Sequence, residues 1–118
     1  MRVTRLMVAA LLLLAFPGRA WAPDLPVSLT NLSSPVARFA DATIQVKTAP
    51  DAACAIRVLY KSGPSRVKGL DSKLADRFGF VEWRWRVGSN TTPGWWPVVV
   101  NCEQADNRGE LKTLLEVR

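Results

Sequence analysis

The sequence predicts an all-β protein, and three observations support this fold class. Apolar residues recur at every second position in several short runs, which is the period of a strand with one buried face. Clusters of Pro, Gly, Ser, Asn and Asp separate these runs. Beyond the amino-terminal region, no stretch shows the 3.6-residue period of an amphipathic helix.

Segment 80–102 carries the clearest strand pattern. Two sets of apolar residues each share one face of a run, namely Val81, Trp83, Trp85 and Val87 in the first and Trp96, Val98, Val100 and Cys102 in the second. Charged residues occupy the other face of the first run, so its tryptophans are predicted to point into the core rather than to stack on sugars. Turn-forming residues 90–94 join the two runs. The pattern predicts an antiparallel hairpin at the centre of the core.

Further strands are predicted over 23–32, 42–48, 53–60 and 111–117. Between them, 61–79 is predicted to be a long connection with at most one short strand, near 73–75. That connection ends in a turn over 76–79, with Asp first and Gly last. A polar turn is predicted over 103–109. Six to seven short antiparallel strands in so short a chain predict a β-sandwich of the immunoglobulin type.

The amino-terminal residues predict a secretory signal peptide. Arg2 and Arg5 precede an apolar run over 6–16, and small residues follow it. The run is shorter than the roughly 20 apolar residues that span a membrane. The predicted boundary gives a signal peptide over 1–20 with cleavage after Ala20, or alternatively after Ala22, and a single domain over 21–118. We therefore expect a secreted protein, extracellular or in the cell envelope, with no membrane span after signal removal.

The positive charge belongs partly to this signal. The chain carries 16 basic and 10 acidic groups, and removal of Arg2, Arg5 and Arg19 lowers the net charge from +6 to +3. This weakens the case for a nucleic-acid partner.

The two cysteines of an exported chain predict one disulfide, Cys54 with Cys102. With a strand before it, Cys54 would lie on the third strand and Cys102 on the sixth. Those strands are neighbours within one sheet of an immunoglobulin-like topology. The bridge should therefore join adjacent strands of one sheet rather than the two sheets.

One set of residues extends over nearly the whole predicted domain, namely Ser34-Pro35-Val36, 42–50, 54–65, Gly69-Leu70, Ala75-Asp76, Gly79, Val81, Trp83, Trp85, Val87-Gly88, Thr92-Pro93-Gly94, Trp96-Pro97-Val98, Val100 and Cys102. In these residues the chain resembles bacterial extracellular immunoglobulin-like modules of secreted and surface proteins. The resemblance implies a fold and a location, in a module without catalytic residues of its own. Two places depart from it. Residues 37–41 replace the Pro-Gly-Gly-like bend of the family, so the sharp turn before the second strand is not expected from the sequence. Trp95 occupies a position where similar modules have a small or polar residue.

Few residues suit catalysis. The chain contains no His, which excludes an ordinary serine or cysteine triad. Asp71 with Asp76 could form a carboxylate pair or a calcium site, but neighbouring basic residues favour solvated turn positions, and calcium requires more oxygen ligands. We predict a protein that is not an enzyme and that uses no cofactor or metal.

Trp95 is the strongest binding candidate, because its parity opposes that of Trp96 and places it on an outer face. The alternative, which the sequence favours, is that Trp95 packs over an outer-face neighbour such as Leu59 or Phe80.

Arg84, Arg86 and Arg57 also lie on predicted outer faces and could bind an anionic polymer, but ordinary surface charge is the preferred interpretation. The primary prediction is a small structural or protein-interaction module, monomeric, with an unknown protein or envelope polymer as partner. The alternative is a ligand-binding module for a carbohydrate or anionic polymer, acting through Trp95 and the basic strand face.

Overall fold

A computed structural model describes residues 24–118, so the predicted signal peptide and both cleavage positions lie outside the described residues. The described chain contains eight strands and no helix: β1 (Ser28–Leu32), β2 (Asp41–Lys47), β3 (Ala53–Tyr60), β4 (Gly63–Pro64), β5 (Lys73–Leu74), β6 (Phe80–Arg86), β7 (Gly94–Gln104) and β8 (Asn107–Val117). The all-β prediction is confirmed. The number of strands exceeds six to seven because two strands of two residues each, β4 and β5, interrupt the long connection.

The strands form two antiparallel sheets. The first has the order β1-β2-β6, and the second has the order β4-β3-β7-β8, with β5 paired to the beginning of β3. Buried side chains from both sheets belong to one continuous core. Its largest fully buried members, in order of volume, are Trp83, Trp85, Ile44, Leu115 and Val46. The two tryptophans of β6 therefore point inward, as their alternation with charged residues predicts.

The predicted hairpin between the two halves of segment 80–102 is wrong. β6 pairs with β2 along seven residues, from Asp41 opposite Arg86 to Lys47 opposite Phe80. β7 lies in the other sheet, between β3 and β8. The connection over 87–93 crosses from one sheet to the other, so that the apolar faces of β6 and β7 oppose each other across the core. A hairpin would have placed these faces side by side within one sheet.

A long hairpin is instead formed by β7 and β8. Their pairing is continuous from Gly94 opposite Val117 to Gln104 opposite Asn107. The turn is Ala105-Asp106, where Ala105 has a positive φ of 53°. The predicted polar turn over 103–109 is therefore too long, because Glu103, Gln104 and 107–109 continue the ladder.

The first strand also begins later than predicted, at Ser28 rather than Pro23. Leu25 is buried, but its amide donates to the carbonyl of Arg108 at 2.8 Å, at the edge of the other sheet. β1 then pairs with β2 through an irregular register between Leu29 and Asn31. Leu29 lies opposite the buried Val46, but it is 39% exposed at the edge of the sheet. The chain thus contacts the edge of one sheet before it enters the other.

The disulfide prediction is confirmed. Cys54 on β3 and Cys102 on β7 are bonded, and they lie directly opposite each other in the ladder that joins these adjacent strands. The bridge is therefore contained in one sheet. Cys102 lies on the seventh strand rather than the sixth. The reason is that the connection between the cysteines contains two short strands, β4 and β5, where the sequence predicts at most one.

The sharp turn before β2 is present although its sequence lacks glycine. The Phe39 amide donates to the Val87 carbonyl at 2.7 Å, and the Val87 amide returns a bond to Ala40 at 2.8 Å. Phe39 has a φ of 65°, in the left-handed region that glycine adopts at low cost. Its ring is 65% exposed, and the Arg86 guanidinium lies 5.0 Å from the ring centroid.

Replacement of Phe39 by Gly is expected to raise the free energy of unfolding by up to about 1 kcal/mol. The left-handed conformation costs a non-glycine residue about 1–2 kcal/mol, which exceeds the added entropy of glycine in the unfolded chain. Phe39→Ala is the matched control, because it removes the ring and retains the backbone conformation. Chemical denaturation of both variants tests this, and a loss of stability in Phe39→Gly would contradict it.

Candidate functional site

Trp95 lies at the beginning of β7, directly opposite Glu116 of β8. Its side chain points away from the core and is 59% exposed, so its neighbours cover less than half of it. Trp96 points the other way and packs against the core, and its indole N–H donates to the carbonyl of Thr92 at 2.8 Å. The alternation of the strand thus directs two consecutive tryptophans to opposite faces.

The sequence-predicted site residues do not form one site. Arg57 shares the outer face of the five-stranded sheet with Trp95, since it lies opposite Val99 on the neighbouring strand. Arg84 and Arg86 project from β6, on the outer face of the three-stranded sheet. The core separates these two faces. The separation follows from the position of β6 and β7 in different sheets, which the hairpin prediction did not anticipate.

The predicted basic strand face also carries acidic groups. The Nε of Arg86 lies 2.9 Å from the Oδ1 of Asp41, in a partly exposed ion pair. Glu82 projects from the same side of β6 as Arg84 and Arg86. An exposed pair of this kind contributes little to stability. The carboxylate of Asp41 nevertheless offsets one of the two positive charges of Arg84 and Arg86. The three-stranded sheet therefore presents a mixed polar face.

The outer face of the five-stranded sheet carries an apolar patch between charged residues. We call it the Trp95 face, and its apolar members are Leu59, Trp95, Pro97, Val99 and Leu114. Pro97 lies directly opposite Leu114, which is 51% exposed, and Val99 is buried on this outer side, apart from the core cluster. Contiguous exposed apolar surface is a common feature of interaction sites, so this face is a candidate site.

Charged residues border the Trp95 face. Arg57 and Lys112 flank Val99 from the two neighbouring strands, and Glu116 lies beside Trp95. Along β8 the charges also approach one another, with Lys112 Nζ 3.9 Å from Glu110 Oε1 and Arg118 Nε 3.7 Å from Glu116 Oε2. At these distances the two ion pairs are weak, so their side chains can pair with other charges instead.

Sequence reasoning missed Pro97, Val99 and Leu114 as members of this surface. A signal was present, because Leu59, Val99 and Leu114 each break the polar alternation of their strand. Each break taken alone is a minor irregularity. The register of β3, β7 and β8 brings the three breaks together on adjacent strands.

A second concave surface lies at one end of the two sheets, between the loop after β3 and the loop after β6. Its larger part has a volume of about 660 Å³ and is lined by Tyr60, Lys61, Ser62, Gly88, Ser89, Asn90, Thr91 and Thr92. An adjoining part of about 500 Å³ adds Phe39, Pro64, Ser65, Arg66, Val67 and Arg86. We call the whole surface the end cleft. Its lining contains hydroxyl, amide and cationic groups and no carboxylate.

Tyr60 at the floor of the end cleft is not poised for acid–base chemistry. Its hydroxyl accepts a hydrogen bond from Trp85 Nε1 at 3.1 Å. Burial raises the pKa of Tyr60 above its ordinary value of 10.0, and the bond from Trp85 opposes this only in part. The phenol therefore stays protonated at neutral pH and can donate to a ligand.

The carboxylates considered for chemistry have structural contacts. Asp76 Oδ1 accepts the amides of Phe80 and Phe78, each at 2.9 Å, within the turn that precedes β6. These bonds, the one from Phe80 first, hold the pKa of Asp76 below its ordinary value of 3.8. The Gly79 amide closes the turn on the Asp76 carbonyl at 3.0 Å, which confirms the predicted turn. Among residues 24–118, no group of three or more His, Cys, Asp or Glu side chains could hold a metal ion.

Within the described part of the chain, no helix is long and apolar enough to cross a membrane. Comparisons of the chain with protein-family models, with curated proteins and with solved structures find no match. The Trp95 face and the end cleft are therefore the candidate sites on grounds of geometry alone.

Proposed function

We propose that the protein is a small secreted immunoglobulin-like module without catalytic activity, which binds a protein partner through the Trp95 face at or outside the cell envelope. The observation that carries this proposal is the exposed apolar surface on the outer side of the five-stranded sheet. An outer face of a two-layer antiparallel fold ordinarily carries polar residues, because it faces water. Here Trp95, Pro97 and Leu114 occupy it instead.

The strand order supports the immunoglobulin-like fold. In constant-type immunoglobulin domains, strands A, B and E lie in one sheet and C, F and G in the other. The long strands of this chain fall into the same two groups, β1-β2-β6 and β3-β7-β8. The disulfide then occupies the C and F positions within one sheet, whereas antibody domains join B to F across the core.

Two features support an extracellular or envelope location. The Cys54–Cys102 disulfide is of the kind that persists in an oxidising compartment. The basic and apolar pattern of 1–20 is typical of a signal peptide.

The chemistry of the Trp95 face favours a protein over a sugar or an anionic polymer. Protein interfaces place aromatic and aliphatic side chains at their centre and charges at their rim, and tryptophan is enriched among the residues that dominate affinity. Leu59, Pro97 and Leu114 offer a sugar no hydrogen-bonding side chain. The charged side chain directly beside Trp95 is the carboxylate of Glu116, which disfavours a polyanion at this position.

Trp95→Ala is expected to lower retention of a partner at least tenfold, while the melting temperature changes little. A tryptophan at the centre of an interface contributes about 2 kcal/mol or more to binding, and an exposed ring contributes little to folding. The measurement is capture of secreted and envelope proteins of the source cell on the immobilised protein, with and without the substitution.

Phe78→Ala is the matched control for Trp95→Ala, because Phe78 is 62% exposed and lies in the turn before β6, away from the Trp95 face. Its loss should leave retention unchanged. A large loss of stability in Trp95→Ala with unchanged retention would assign Trp95 to packing and overturn the proposal.

The end cleft favours a second candidate, the binding of an acidic carbohydrate or similar anionic polymer. Lys61 and Arg66 line it together with several hydroxyl groups, and no carboxylate is among its lining residues. Arg86 also lines the cleft, but its charge is paired with Asp41.

This candidate replaces the predicted site that combined Trp95 with Arg84 and Arg86. Trp95 lies on the five-stranded sheet, whereas both arginines lie on the three-stranded sheet. On an acidic polysaccharide matrix at two salt concentrations, Lys61→Glu with Arg66→Glu would abolish salt-sensitive retention, and Trp95→Ala would leave it unchanged.

A further inference from the structure

The outward side chains of β8 and the residue that follows it carry a charge order with an internal symmetry. They are Arg108, Glu110, Lys112, Leu114, Glu116 and Arg118. When the order is reversed about Leu114, Lys112 meets Glu116 and Glu110 meets Arg118. Every charge within reach of the centre then faces its opposite. When two copies of the strand pack against each other in antiparallel direction, each residue meets the residue at the reversed position.

We propose that the partner of the Trp95 face is a second copy of this chain, packed face to face about a twofold axis that passes over Leu114. This inference rests on the proposed function of the Trp95 face and names its partner. In such an isologous contact, any residue that touches another is touched by it in return. Lys112 of each copy therefore contacts Glu116 of the other, which gives two equivalent ion pairs.

The same axis provides apolar partners for the exposed side chains. Pro97 lies opposite Leu114 and therefore also on the axis, so that these residues meet their own counterparts. Trp95 and Val99 lie at equal distances on either side of Pro97 along β7. Val99 is already buried in its own sheet, so Trp95 of one copy lies over the side chains that flank Val99 in the other, Arg57 and Lys112. Arg57 lies beside Val99 on β3, where its guanidinium can stack on the incoming indole.

Association by the edge of the sheet does not offer this register. The edge groups of β8 are occupied at both ends, because the amide of Leu25 bonds the carbonyl of Arg108 and the amide of Val36 bonds that of Glu116, each at 2.8 Å. An edge-to-edge ladder centred on Leu114 would require the backbone of Glu116. The face of the sheet remains available, with Leu114 and Trp95 exposed.

The size of the face indicates a reversible dimer. About an axis over Leu114 the two copies overlap along residues 110–118, which corresponds to about 30 Å of strand, and three strands make the face about 15 Å wide. An interface of this size lies at the lower end of specific contacts, and we expect a dissociation constant of about 10–100 µM. The monomer that the sequence predicts would then be the species at high dilution.

Charge reversal tests the register. Sedimentation equilibrium of the purified protein over about 1 µM to 1 mM should show a monomer–dimer equilibrium. Lys112→Glu places Glu against Glu116 of the second copy, and Glu116→Lys places Lys against Lys112, so each variant alone should weaken dimerisation at least tenfold. An equimolar mixture of the two variants should restore association, because each new charge then meets its opposite. Arg84→Glu on the other sheet is the matched control and should change nothing.

Several outcomes would overturn the inference. A protein that stays monomeric up to about 1 mM would exclude the second copy, and loss of extracellular partners in Trp95→Ala would still support the proposed function. Self-association that neither charge reversal nor Trp95→Ala weakens would place the contact elsewhere. Failure of the mixed variants to associate would exclude the register about Leu114. Circular dichroism of each variant confirms that the exposed substitutions leave the fold intact.

Discussion

Removal of the Cys54–Cys102 disulfide is expected to lower the free energy of unfolding by about 2–5 kcal/mol. The bridge closes a loop with a sequence separation of 48 residues, for which the chain-entropy relation gives about 4 kcal/mol. It joins β3 to β7 in the interior of the five-stranded sheet, and both cysteines belong to the core. A domain of this size has a total stability of about 5–15 kcal/mol, so the loss is a large fraction of it.

The measurement is denaturant unfolding of the protein with and without strong reductant, and of the double variant Cys54→Ala, Cys102→Ala. The reductant acts on this bridge alone, since the sequence contains two cysteines. Agreement between the reduced protein and the double variant would separate loss of the cross-link from any effect of the alanines. An unchanged unfolding midpoint in both would show that the bridge does not stabilise the fold.

Trp83→Ala is expected to cost about 3–5 kcal/mol, because it removes the largest class of side chain from a fully buried position. Trp83 lies on β6 opposite Ile44, in the sheet whose inner face covers the disulfide-bearing sheet. Its indole N–H also donates to the carbonyl of Asp71 at 2.7 Å, which ties the long connection before β5 to the core. Thermal and denaturant unfolding measure the loss.

Trp83→Phe separates the two contributions of this side chain. It retains most of the apolar contact and removes the donor to Asp71, so a loss of about 1–3 kcal/mol is expected. Trp95→Ala is the control for the size of the deleted group, because the same substitution at the exposed tryptophan should change stability far less. A loss below about 1 kcal/mol for Trp83→Ala would contradict the packing described for this core.

The two sheets present different outer surfaces, and this difference locates the proposed interaction. On the three-stranded sheet, Arg86 pairs with Asp41 and stacks on Phe39, so its charge is engaged within the chain. On the five-stranded sheet, more than half of the Trp95 and Leu114 side chains remains exposed among the described residues. Burial of such surface against a partner would be favourable by about 25 cal/mol per Å² before the costs of association.

Alternation along the chain determined which side each strand buries, because successive side chains of a strand point to opposite faces whatever the strand pairs with. It was sufficient to place Trp83 and Trp85 in the core, Trp96 against it and Trp95 outside. The count of two cysteines likewise determined the disulfide pair. The bounds of β3 also follow from the sequence, since a turn precedes it and its apolar residues alternate.

Strand pairing, by contrast, was decided only by the tertiary structure. Alternation indicates the buried face of a strand but says nothing about which neighbours form hydrogen bonds with its edges, so β6 and β7 could equally have been a hairpin or opposed layers. The left-handed backbone of Phe39 follows from the bonds that Val87 makes to this turn, rather than from a local glycine signal. The Trp95 face exists because the register of three strands unites Leu59, Val99 and Leu114, which lie far apart in the chain.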